Sequence, residues 1–315
     1  MIEQFIKEVD AGLSSVPASL PSKYFYDQVG DDLFVKIMNM PEYYLTRAEH
    51  EIFKEQITSM VHDLEIEKGK YFELIELGAG DGTKTKELLK YLNENDYLFH
   101  YSPIDISENA LDGLEQILQK ELPQVKVKKK QGDYFEVLDD LSKSDHPKII
   151  LFLGSNIGNM SDEEASRFFK ELAKSVNPKD KVLLGVDLIK DESIVLPAYN
   201  DKQGITRAFN LNLLERINRE LGGEFSMANF RHVAEYTKEE GIAKSFLEST
   251  VDQEVRIKKL GKSYRFKKGE KIKTEISRKY NHEVLSGLVK GTKFKIKKEL
   301  TDRQGLFADY ILSYE

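Results

Sequence analysis

The 315-residue sequence contains no cysteine and no tryptophan. Without cysteine there is no disulfide, no thiolate metal site and no thiol nucleophile. Six histidines are scattered at His50, His62, His100, His146, His232 and His282, and no two stand four apart, the spacing of a helical metal-ligand pair. A bound metal is therefore not expected. Long apolar runs are missing too: stretches such as IILFL at 149–153 fall far short of the roughly 20 residues that span a bilayer. The opening MIEQFIKEVDAGL mixes acids with apolar residues, unlike a secretory signal or a transit peptide. A positive excess is lacking as well. The formal net charge of −7 disfavours general affinity for nucleic acid, although a local basic patch is compatible with it. The expectation is a cytoplasmic monomer with a small-molecule partner, no membrane partner and no nucleic acid.

What is present has an α/β rhythm. Tyr71–Leu77 reads as a strand, 83–92 as a helix and 98–106 as a strand. Ser107 caps a helix to about 122, and 125–130 is a short strand. The unbroken apolar run at 148–153 marks a central parallel strand buried on both faces. Ser161 and Glu164 form a capping box opening a helix to about 175, and 181–188 is the next strand. Five strands with intervening helices predict a doubly wound parallel sheet. After 188 the pattern changes to a long helix at 204–221. Strand-like alternation follows at 230–236, Ile242–Ser249, 255–260, 264–266 and 272–277. Strands at 293–300 and Phe307–Tyr314 would close the first sheet as an antiparallel hairpin. The chain thus divides into a domain of residues 1–187 and 280–315 and an inserted α+β domain at 188–279, with the first 60 or so residues helical and turn-rich.

The stretch ELGAGDGTKTK at 76–86 follows the first strand. A dinucleotide fingerprint, G-x-G-x-x-G, would need glycine where Thr83 stands. A triphosphate loop, G-x-x-x-x-G-K-[ST], fails at the same residue. The remaining pattern, E-x-G-x-G-x-G through Gly78, Gly80 and Gly82, resembles the loop of S-adenosylmethionine-dependent methyltransferases. Asp105, ending the second strand, stands where an acid accepts hydrogen bonds from ribose hydroxyls. Asp133, after the third strand, stands where it can accept from an adenine amine.

Other stretches are more ambiguous. YFYD at 24–27 and PEYYLTR at 41–47 are either ordinary aromatic packing or a lid. GSNIGN at 154–159 follows the central strand at the sheet edge that faces the ligand crevice. It lacks the [DNS]-P-P-[YFW] of nucleic-acid amino-methyltransferases. Strand alternation turns Glu275 and Ser277 the same way. The basic stretch at 256–273, with Tyr264 and Phe266, is an RNA-binding ribbon or a solvated hairpin face, and the alternation favours the latter.

Together FYDQVGDDLF (25–34), PEYYLTRAE (41–49), ELGAGDGTKTK, FLGSNIGN (152–159), LLGVDLIKD (183–191), AYNDKQGITRAFNLNLLERINRELGGEF (198–225) and TEISRKY (274–280) resemble the histidine-specific methyltransferase family. The resemblance covers nearly the whole chain. It implies a class I Rossmann-like sheet, with five parallel strands and the C-terminal hairpin, and S-adenosyl-L-methionine as cofactor. The implied reaction is mono- to trimethylation of the α-amino group of L-histidine, giving hercynine, as in ergothioneine biosynthesis. Tyr43, Gly78, Lys84, Asp105, Asp133 and Tyr134 would line the cofactor site. Asn159 and Tyr199 would hold the amino acid's α-amino and α-carboxylate groups, with Tyr26 as the catalytic group that orients the amine. Glu275 and Ser277 would bind the imidazole, making 188–279 a substrate domain. Three departures stand out. Ser245 replaces a methionine, Glu299-Leu300 a tryptophan pair, and Asn156 a threonine. Relatives in this family methylate other amines, including tryptophan-derived ones, so another amine substrate is the alternative. An RNA methyltransferase and a non-catalytic cofactor-binding protein are the more distant ones.

Overall fold

The structure is a computed structural model that describes residues 2–133, 138 and 144–315. In chain order its helices are α1 (Ile2–Ser14), α2 (Gln28–Met38), α3 (Leu45–Asp63), α4 (Thr85–Glu94), α5 (Glu108–Glu121), α6 (Asp162–Ser175), α7 (Glu192–Tyr199), α8 (Ile205–Leu221) and α9 (His282–Val289). Its strands are β1 (Tyr71–Leu77), β2 (Leu98–Asp105), β3 (Lys130–Gln131), β4 (Lys148–Phe152), β5 (Lys181–Asp187) and β6 (Phe230–Glu235). They continue with β7 (Ile242–Ser249), β8 (Gln253–Ile257), β9 (Lys262–Phe266), β10 (Lys271–Arg278), β11 (Phe294–Thr301) and β12 (Phe307–Tyr314). The chain divides into two compact units, Leu45–Ile189 with Arg278–Glu315, and Met1–Tyr44 with Lys190–Ser277.

The first of these, the sheet unit, holds a seven-stranded sheet in the order β11-β12-β5-β4-β1-β2-β3. Strands β3, β2, β1, β4 and β5 run parallel, and β12 joins β5 antiparallel with β11 beyond it. This is the expected class I arrangement. Strands β4 and β5 are buried at every position because helices or loops cover both faces. Ile150, Phe152, Leu184, Val186 and Leu312 meet Phe168, Phe169 and Leu172 of α6 in one core. Where the chain leaves and re-enters, Asp187 to Ile189 lie beside Tyr280. The Tyr280 N–H donates to the Asp187 carbonyl and the Ile189 N–H to the Tyr280 carbonyl, both at 2.8 Å.

Local chemistry explains the element ends. Ser107 Oγ accepts from the Ala110 N–H and starts α5, and the Ser161–Glu164 box starts α6 as expected. Helix α4 begins later than the apolar spacing predicts, because the Thr83 N–H and hydroxyl are both spent on the Asp81 carboxylate. The third strand is shorter than expected. The segment runs beside β2 through the Lys128 N–H on the Tyr101 carbonyl, but only Lys130–Gln131 pairs as a strand. Helix α9 has no counterpart in the sequence reading; Asn281 caps it by accepting from the Val284 N–H.

In the second unit, strands β10, β7 and β6 form a three-stranded sheet, β8 and β9 form a hairpin, and α1, α2 and α8 complete the layer. The sequence pattern left the first 60 residues with the sheet. Residues Met1–Tyr44 instead belong here, because Phe5, Val9, Leu13, Tyr24 and Phe25 share a buried core with Phe209, Leu213, Ile217 and Leu247. Backbone bonds add to this: the Leu20 N–H donates to the Lys273 carbonyl, and the Lys273 N–H to the Ala18 carbonyl. Among the described residues no helix is long and apolar enough to cross a membrane, and no cluster of His, Asp or Glu could hold a metal ion.

Candidate functional site

In the sheet unit, the residues of interest sit on the loops after β1, β2, β3 and β4. Strand β1 ends in a turn whose Gly78, Gly80 and Gly82 all take positive φ, 73°, 54° and 64°. Such backbone strongly favours glycine. A Cβ at Gly82 would also collide with Leu114 Cδ1 of α5, whereas among the described residues a Cβ on Gly80 would meet nothing within 4 Å. The Gly80 backbone is thus open to a ligand.

Asp105 ends β2 beside this turn. Its Oδ2 accepts from the Gly80 N–H at 3.0 Å and its Oδ1 from the Ser107 N–H at 2.9 Å. Burial raises its pKa, against the pull of these N–H donors. Asp133 is half-buried and follows Gly132, whose N–H donates to the Asp105 carbonyl at 3.0 Å. Tyr134 lies outside the described residues.

The loop after β4 carries Ser155 at φ 58° and a short helical turn, Asn156–Asn159, that ends on half-buried Asn159. Asn156 Nδ2 donates to the Gly78 carbonyl at 3.2 Å, a bond that ties this loop to the glycine turn. Lys84, just before α4, pairs with the fully buried Glu49 of α3 at 2.5 Å. Behind it lies Glu76, which accepts from the Thr85 hydroxyl at 2.6 Å and from the Tyr101 hydroxyl. Burial pushes the Glu76 pKa up to about 7 despite those two donors.

In the second unit, Tyr199, Glu275, Ser277 and Ser245 come together. The Tyr199 hydroxyl donates to Ser277 Oγ at 2.8 Å, and the Ser245 hydroxyl to Glu275 Oε2 at 3.3 Å. Next to them Thr274 donates to Asn210 Oδ1 at 2.6 Å. Tyr26 and Tyr43 flank Phe34 edge-on, with centroids 5.6 and 6.4 Å away. The two other tyrosines of these segments serve packing. Tyr24 packs against Phe5 with the rings tilted and donates to Glu8, and Tyr44 accepts from Lys190 Nζ, which also sits over its ring.

Reading the sequence missed Glu49, Glu76 and Asp309 as buried acids. The signal was there: an acid on the apolar face of α3 and another inside the apolar run FADYILSY. The Ser245–Glu275 bond was missed too, since only the substitution at 245 is visible in the sequence.

A family model for S-adenosylmethionine-dependent, histidine-specific methyltransferases matches residues 5–314. The histidine N-alpha-methyltransferase of Mycolicibacterium smegmatis is 35% identical over 281 residues, covering 89% of this chain and 86% of that protein. Ergothioneine biosynthesis protein 1 of Neurospora crassa is 33% identical over 279 residues, covering 85% of this chain and 30% of that longer protein. Among solved structures, a possible exported protein from Bordetella parapertussis matches with a TM-score of 0.50 at 12% identity, over 99% of this chain and 95% of its own; this likeness concerns the fold alone. The match along nearly the entire length makes this chain an enzyme of the histidine-specific, S-adenosylmethionine-dependent methyltransferase family.

Proposed function

We propose that the enzyme transfers methyl groups from S-adenosylmethionine to the α-amino group of free L-histidine, in one to three rounds, giving hercynine after the third. The observation that carries the substrate is Glu275 beside Ser277 on β10, with Ser245 donating to the carboxylate. An imidazole offers an N–H and a bare nitrogen to such a pair. An apolar side chain would leave the carboxylate without a ligand partner, a cost of about 1–3 kcal/mol. The name of the 35%-identical M. smegmatis relative supports the same substrate.

The glycine turn suits the cofactor. Among the described residues nothing obstructs its Gly80 backbone, and the Asp105 carboxylate, held by the Gly80 and Ser107 N–H groups, would accept from a ribose hydroxyl. When bound, S-adenosylmethionine supplies a methyl group on a sulfonium, open to attack by a neutral amine. Asp105 would hold the ribose and Asp133 the adenine amine, while Tyr43, Gly78, Lys84 and Tyr134 would line the rest of the cofactor. Asn159 and Tyr199 would hold the substrate's α-amino and α-carboxylate groups. The Tyr199–Ser277 bond would link that anchor to the imidazole anchor. Tyr26 would orient the amine and help steer its proton away.

No strong base is required, because an α-amino group titrating near pH 8 in a peptide, and higher beside a free carboxylate, retains a neutral fraction. The main work is positioning, which can supply roughly 7–11 kcal/mol. The test is incubation with S-adenosylmethionine and each common amino acid in turn, read by mass. Up to three added methyl units on histidine alone are expected. Methylation of a different amine with histidine untouched would overturn the substrate assignment.

A further inference from the structure

Two buried acids near Lys84 have no place in the reaction as described. Glu49 of α3 is fully buried, and both its oxygens accept from the Gly154 N–H, at 2.8 and 3.0 Å. The same carboxylate holds Lys84 Nζ at 2.5 Å. Asp309 of β12 is also fully buried, and neither of its oxygens has a hydrogen-bond donor among the described residues. It pairs across the sheet with Gly185 of β5. A side chain on Gly185 would lie 2.1 Å from Glu49 Oε1 and 3.0 Å from Asp309 Oδ1. The two carboxyl groups are therefore neighbours over one glycine, in a space that exists only because residue 185 has no side chain.

We propose that Lys84, Glu49 and Asp309 form a neutral buried trio in which Asp309 carries a proton, and that Glu49 is the positioning residue that presents the Lys84 ammonium to the cofactor's carboxylate. The second half rests on the reading of Lys84 as a cofactor residue. Charge balance requires the first half. One ammonium neutralises one carboxylate, and Glu49, with an ammonium and a backbone N–H, is the one stabilised as an anion. A second anion beside it, with no donor for either oxygen among the described residues, would be uncompensated. As the acid, Asp309 instead gains an O–H that a neighbouring carboxylate can accept.

For Asp309 and Lys84 the direction of the shift agrees with this assignment. Burial and the Glu49 charge hold Asp309 well above the usual carboxylate range. Burial alone would lower Lys84, but the adjacent Glu49 carboxylate raises it. Glu49 also ties two loops to one anchor, the glycine turn through Lys84 and the loop after β4 through Gly154.

The test compares Glu49→Gln with Asp309→Asn in the full chain, using calorimetric binding of S-adenosylmethionine and infrared spectra at mildly alkaline pH. Glu49→Gln should weaken cofactor binding by at least about tenfold, and Asp309→Asn, which keeps the shape of the acid, by less than about threefold. The wild type should show a carboxylic-acid C=O band that shifts on 13C-aspartate labelling, separating it from the Glu76 acid, and that Asp309→Asn abolishes. The labelling result stands even if a variant fails to fold. An absent aspartic-acid band, or one that survives Asp309→Asn, overturns the protonation. Equal losses of affinity in the two variants, or unaltered binding in Glu49→Gln, overturn the positioning role. A wild type that shows the band but binds no S-adenosylmethionine would instead refute the cofactor reading of Lys84.

Discussion

Strand β5 of the sheet unit is buried at all seven positions and β12 at all but its last, whereas β7 of the second unit alternates half-buried and buried residues along its length. The polar side chains follow suit. In the sheet unit a charge on or beside a covered strand has little solvated surface, and several such charges find their opposite inside. Lys148 meets Asp180 at 3.4 Å with both side chains about 1% exposed, Lys279 meets Asp187 at 2.7 Å with both fully buried, and Lys84 meets Glu49. In the second unit buried polarity is mostly hydroxyl and amide: Thr274 with Asn210 and the Ser245 carbonyl, and Tyr199 with Ser277. Its ion pairs, such as Lys271–Glu235, lie toward solvent. The two units therefore respond differently to the loss of one partner. A charge stranded in a low-dielectric interior costs several times what a lost neutral hydrogen bond costs.

The largest expected effect tests this directly. Lys279→Met removes the buried ammonium that faces the Asp187 carboxylate and should destabilise the protein by about 3–5 kcal/mol in urea unfolding. A loss below about 1 kcal/mol would break the comparison. The next is pH-dependent and belongs to Glu76. The folded protein keeps a proton on this residue up to about pH 7 that the unfolded chain releases near pH 4.5. Its stabilising contribution is full below about pH 4.5 and is lost as pH rises toward 7, a change of up to about 3 kcal/mol. Glu76→Gln should remove that part of the slope, and identical pH–stability profiles for the two proteins would rule the assignment out.

A third prediction separates the units by function. Asp105→Ala should weaken S-adenosylmethionine binding by at least about tenfold, with a smaller effect on the KM for histidine. Glu275→Ala should do the reverse. Equal loss of both in either variant would collapse the division of labour. The smallest effect is expected in the second unit, where Thr274→Val removes neutral hydrogen bonds and should cost about 1 kcal/mol.

Much of this was legible along the chain. The bounds of β1, β7 and β12, the Ser107 cap and the Ser161–Glu164 box follow from local period and capping chemistry. The cofactor class was legible as well, through the resemblance of the Gly78, Gly80 and Gly82 loop, with Asp105 and Asp133, to that of S-adenosylmethionine-dependent methyltransferases. The departures were local as well. The Asp81–Thr83 turn delays α4, and α9 is short enough for one Asn281 cap to define it. Two things were not legible. One is that Met1–Tyr44 joins the second unit, since the apolar stripe of α1 is the same whichever core receives it. The other is the partnership of Glu49 with Asp309, residues far apart in the chain, each of which alone looks like an acid misplaced on an apolar face.

The sequence by itself determined the order of strands and helices, the glycine turn and its acidic neighbours, because these depend on backbone propensity and side-chain period over a few residues. Only the tertiary structure decided which buried acid keeps a proton and what anchors Lys84. It also decided that the Glu275 carboxylate receives the Ser245 hydroxyl. Each of these depends on desolvation and on partners that the fold alone brings within hydrogen-bond reach.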